Sequence, residues 1–168
     1  MKFYELDDQV QERLFKLAQR YKKINGWSEK EILDFLESHL TRLEMESKKH
    51  TYITMEEQIK CKRVADAFAE LEDVGITVID VGRFGFLRLL YYQFPYGFDD
   101  AITYTDSKEL FNDLWEDWLQ EQMHHIEVNN PSLGELDYED IFKGLPIEEQ
   151  TQLMAKREYF AQRAGIQL

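Results

Sequence analysis

The chain has 168 residues, of which 43% are apolar and 32% charged, with a formal net charge of −13. A chain of this size buries roughly 70% of its unfolded surface, enough for one domain with a real core and against wholesale disorder. No stretch of ~18 apolar residues escapes charge, the N-terminus lacks a leader pattern, and the single cysteine, Cys61, cannot form an internal disulfide. A soluble, cytoplasmic protein is expected, with Cys61 a packing residue.

All three prolines follow residue 94, so the first half lacks the strongest helix breaker. Leu6, Val10, Leu14, Leu17 and Tyr21 recur at three- and four-residue spacing, which predicts a helix over about 5–24 closed by Asn25-Gly26. Next, "WSEKEI" sets Ser28 and Glu31 at capping-box spacing, with Trp27 and Ile32 as a hydrophobic staple. Phe35, Leu36, Leu40 and Leu43 continue the apolar face of this second helix. A third starts near Thr54, capped with Glu57, carries Cys61, Val64, Ala65, Phe68 and Leu71 inward, and stops at Gly75.

The period then changes. "GITVIDVGRFGFLRLLYYQF" is rich in β-branched and aromatic residues and punctuated by Gly82 and Gly85, which predicts a hairpin; "AITYT" at 101–105 supplies a third strand. Arg88 within a strand is expected to find a carboxylate such as Asp80 across the hairpin. Helical periodicity returns at Asp106, in capping spacing with Glu109, with Phe111, Leu114, Trp115, Trp118 and Leu119 inward. After the polar stretch "EVNNPSLGEL", a short helix is expected near Tyr138 to Lys143, and Pro146 opens the last one. The fold class is therefore α+β in a single domain: a helical half over about 1–75, a three-stranded antiparallel sheet with an acidic helix over about 76–128, and C-terminal helices over about 136–165.

Charge is concentrated. Between Asp99 and Asp140 stand 13 acids and one base, Lys108, so almost the whole excess lies in one quarter of the chain. Such a segment repels phosphate backbones, which argues against direct nucleic-acid binding, and attracts basic protein surfaces with salt-sensitive association; no membrane partner is expected. Acidic helix faces also simply keep proteins soluble. The sharper expectation is a non-enzymatic protein-binding module that inhibits or regulates a basic, nucleic-acid-processing protein, by mimicking the shape of charge on DNA. Glu109, Asp113, Glu116, Asp117 and Glu121 would make the electrostatic contact. Seven aromatics fall in the fifteen residues from Phe84 to Phe98, and of these Phe94, Tyr96 and Phe98 sit in a loop suited to apolar anchoring.

Other chemistry has weaker signals. Glu121 and His124 share the three-residue spacing of di-iron carboxylate bundles, which gives the alternative of a metal-dependent enzyme. That spacing occurs once; Glu46 and His50, four apart, also share a helical face and offer a composite site with Glu121 and His124, but no H-E-x-x-H or cysteine-rich pattern accompanies them. His124 and His125 are explained as well by the favourable field of a helix C-terminus. Asp137, Glu139 and Asp140 lack the flanking pattern of an EF-hand loop. With neither a phosphate-binding glycine loop nor a nucleophile elbow, no cofactor is expected, and a structural homodimer is the third alternative.

Overall fold

The computed structural model describes residues 52–90 and 102–168 continuously and residues 8, 12, 16, 26, 28, 30, 31, 33, 34, 37 and 38 individually. Four α-helices and three strands lie in the continuous parts, and the α+β class is correct. The chain sorts into two compact units, Met1–Gln58 with Gly75–Thr105 and Ile59–Val74 with Asp106–Leu168.

Local capping signals form as their spacing requires. Ser28 N–H and Oγ both donate to Glu31 Oε2 at 2.7 Å, and the Glu31 N–H returns to Ser28 Oγ at 3.3 Å, closing the capping box. These bonds hold the Glu31 carboxyl below the ordinary carboxylate value, the Ser28 hydroxyl contributing most. Asp8, Glu12 and Lys16 are helical, and Gly26 takes φ 70°, the left-handed conformation expected after the first helix. The staple residues Trp27 and Ile32, and the apolar residues assigned to the first two helices, lie outside the described residues.

Helix α1 (Met55–Ala67) begins where Thr54 Oγ1 accepts the Glu57 N–H at 3.2 Å. Its C-terminus falls short of the expected Gly75. The chain tightens at Phe68 into a 3-10 turn, Ala69–Glu72, before Gly75 at φ 91° leads into the sheet. A last turn of 3-10 geometry lets terminal carbonyls find i+3 partners, and Phe68 and Leu71 still reach the core at 2% and 3% exposure.

In the first unit, β1 (Ile76–Asp80), β2 (Phe86–Leu90) and β3 (Ile102–Tyr104) form an antiparallel sheet in that order. The register sets Asp80 opposite Phe86, and Phe86 opposite Tyr104. Thr77, Ile79, Leu87 and Leu89 are buried on one face and Val78, Phe86 and Tyr104 on the other, so the sheet is withdrawn from solvent on both sides. Arg88 stands opposite Val78 and Ile102 and is engaged within the fold. Asp80, expected to answer it, instead takes its hydrogen bonds from Gln58 Nε2 at 3.2 Å and the Gly82 N–H at 2.8 Å. The carboxylate therefore fastens the turn to the start of α1, a partnership that strand alternation does not reveal. Above it the Arg83 guanidinium lies over the Tyr52 and Phe84 rings at 5.1 and 4.9 Å.

In the second unit, α2 (Ser107–Asn129), α3 (Tyr138–Gly144) and α4 (Ile147–Ala164) follow one another. Asp106 caps α2 by accepting from the Lys108 and Glu109 N–H groups at 2.8 and 3.0 Å. Asp106→Ala is expected to lower stability by about 1 kcal/mol, checked by chemical denaturation, while Asp106→Ser retains most of it. Asp137 caps α3 in the same manner through the Asp140 N–H at 2.9 Å, which gives that carboxylate a structural task. Helix α4 ends at Gly165, φ 70°, with the Ile166 N–H donating to the Ala161 carbonyl at 2.9 Å.

The core of this unit is aromatic. Phe160 stacks on Phe68 with centroids 4.4 Å apart and takes Trp118 edge-on at 5.4 Å, while Phe111 meets Phe68 edge-on and Trp115 stacks on Trp118. Leu110, Leu114 and Met123 are fully buried beside them. Trp118 Nε1 donates to Glu70 Oε1 at 2.6 Å, satisfying the polar edge of a ring that is 7% exposed. Leu119, expected inward, is half-buried.

Candidate protein-docking face on the acidic helix

Helix α2 carries six carboxylates and one lysine over 23 residues. Its apolar residues are drawn into the aromatic core, and that fixes which carboxylates face outward. Glu109 and Glu116 are exposed. Seven residues apart on a helix, they point within ~20° of each other and lie ~10.5 Å apart along the axis. Neither makes a salt bridge to a cation among the described residues. Glu109 is in the first helical turn, where a negative charge also favours the helix dipole. Glu116 is two turns further in, beyond the reach of that effect.

The other expected contact residues are placed differently. Asp117 is buried at 9% exposure and engaged within the fold, so it does not belong to the outward face. It follows Leu114 by three and precedes Trp118, which carries it to the rim of the core along with them. Asp113 is half-buried and also engaged internally. Glu121, half-buried, meets His125 Nε2 at 3.3 Å. Phe94, Tyr96 and Phe98 lie outside the described residues.

Only one of the two histidines meets Glu121. His124 Nδ1 faces Glu127 Oε2 at 3.4 Å while His125 takes Glu121, so each imidazole has its own carboxylate. A pair spaced by four residues suits an extended Glu side chain, and the expected partnership of Glu121 with His124 gives way to it. No group of three or more His, Cys, Asp or Glu suited to a metal ion occurs among the described residues; Glu46 and His50 lie outside them. Nor do the histidines close the helix. It runs on to Asn129, and the Asn129 and Asn130 side chains donate to the His125 and Ile126 carbonyls at 2.8 and 2.9 Å. Two asparagines expected in a loop thus satisfy carbonyls that the helix end leaves open.

Two long-range contacts escape sequence reading. The Glu70 bond to Trp118 is one; the other joins Arg157 Nη2 to Asn112 Oδ1 at 3.1 Å, while the buried Arg157 Nε–H has no partner among the described residues. Fold and face together define an acidic α+β protein with an outward carboxylate row on one long helix. No protein family, curated protein or solved structure matches this chain. No helix among the described residues is long and apolar enough to cross a membrane.

Proposed function

We propose that the outward face of α2 is a docking surface through which the chain binds a basic, nucleic-acid-processing protein and inhibits or regulates it, without catalysing a reaction. The carrying observation is the pair Glu109 and Glu116, exposed on one face with no salt bridge among the described residues, within a segment with 13 acids and one base. Two carboxylates held on a rigid helix present fixed negative charge at regular spacing. A cationic groove built for phosphates meets such a row without the ordering entropy that a disordered acidic tail incurs. Electrostatic attraction of this kind accelerates encounter and weakens as salt screens it.

Tagged chain captures the partner from its native cells, and the isolated partner is then titrated calorimetrically across a salt series. Glu109→Lys with Glu116→Lys is expected to weaken binding at least tenfold, about 1.4 kcal/mol, and to flatten its salt dependence. Nucleic acid is expected to compete for the partner. Unchanged affinity in the double variant, or simultaneous binding of nucleic acid, would overturn the proposal.

A further inference from the structure

A surface of opposite sign lies on α4. Tyr159 is 48% exposed, and both Lys156 Nζ and the Arg163 guanidinium carbon sit 5.6 Å from its ring centroid. Arg163 Nη1 also donates to the Tyr159 hydroxyl at 3.4 Å. Positions 156, 159 and 163 recur at the three- and four-residue spacing of one helical stripe.

In a chain with 33 acids against 20 bases, cations are expected to find carboxylates. Lys143 does, meeting Glu139 at 2.8 Å. Lys156 and Arg163 rest on an aromatic ring instead, and neither forms a salt bridge among the described residues. The helix dipole accounts for Arg163 in the last turn, but Lys156 is two turns earlier and outside its range. Contact with the ring biases both charges toward one position on the surface, so an arriving anion meets cations that have already given up part of their side-chain freedom.

We propose that the stripe of Lys156, Tyr159 and Arg163 docks an acidic peptide segment of another protein. With two cations over its ring, Tyr159 offers no open stacking platform of the kind single-stranded nucleic acid uses, which favours carboxylates over nucleotides. Lys156 and Arg163 are ~10.5 Å apart along the helix. Acidic residues three apart in a polyproline II segment are separated by ~9.3 Å on one side of the chain, a close match. This inference stands independently of the acidic face of α2.

The test uses the full chain and a dye-labelled peptide with Glu at every third position and Pro between, which holds the polyproline II repeat, followed by fluorescence anisotropy at low salt. Saturable binding is expected, weakened by added salt and reduced at least roughly tenfold by Lys156→Glu with Arg163→Glu. Tyr159→Leu, at an exposed position, should leave the circular dichroism spectrum unchanged and lower affinity several-fold through loss of the ring that holds both cations. Absence of saturable binding, equal affinity in the double variant, or preferential binding of a single-stranded oligonucleotide or inorganic phosphate would overturn the proposal.

Discussion

Gly85→Ala should unfold the hairpin end of the first unit. A β-carbon at this position would lie 2.0 Å from the Tyr104 carbonyl oxygen and 2.9 Å from its carbonyl carbon. Both are backbone atoms of the paired strand, and neither can rotate away as a flexible side chain would. Gly85 also occupies φ 96°, ψ −141°, a region that residues with a β-carbon scarcely enter. Backbone strain and collision together are expected to cost about 3 kcal/mol or more. The loss should appear as a urea midpoint lowered by about 1 M or more and as faster amide exchange at the Phe86 and Tyr104 pair. Gly82 provides the internal comparison. It has φ 68° but nothing within 4 Å of its β position, so Gly82→Ala incurs only the conformational cost, roughly 1–2 kcal/mol. If the two variants lose equal stability, close approach of Tyr104 is not what requires Gly85.

The second large effect is expected at Phe160→Ala, roughly 3–5 kcal/mol. Phe160 is 2% exposed and joins Phe68 and Trp118, which arrive from different parts of the sequence. Removing the ring leaves a cavity against two aromatic walls already fixed by other partners: Phe68 by Phe111, Trp118 by Trp115 and by its bond to Glu70. Walls held this way cannot collapse into the space, which places the loss toward the upper end of that range. Tryptophan fluorescence during denaturation reads the change directly, since Trp115 and Trp118 belong to the same cluster. Phe160→Leu, which restores most of the volume, should recover more than half of the loss; recovery of none would mean that ring geometry, and not filled volume, stabilises the cluster. Trp115 and Trp118 belong to α2, so the variant also reports on how firmly that helix is held in its unit.

Features set by neighbours in the chain were legible before the fold was known. The reciprocal bonds of Ser28 with Glu31, the Thr54 cap and the Asp106 cap span two or three residues, so spacing alone specifies them. The change from a helical to a strand period near Gly75, and the hairpin with its third strand, followed from β-branched and aromatic composition. The concentration of negative charge in one segment is likewise a property of the sequence itself.

Side-chain destinations were not legible wherever partners are distant in sequence. Glu70 reaches Trp118 across 48 residues and Arg157 reaches Asn112 across 45, distances over which no local periodicity carries information. Five carboxylates of α2 are equivalent as sequence, yet packing of the neighbouring Leu114 and Trp118 buries Asp117, half-buries Asp113 and Glu121, and leaves Glu109 and Glu116 outward. Two histidines beside a glutamate three and four positions away admit two pairings, and the folded helix takes His125 with Glu121. Thus the sequence by itself determined where helices begin, where the sheet lies and which segment is negative, because those depend on short-range sterics, hydrogen bonding and composition. Which charges stand free on the surface was decided by tertiary packing, since burial is a property of all the elements that meet around a residue.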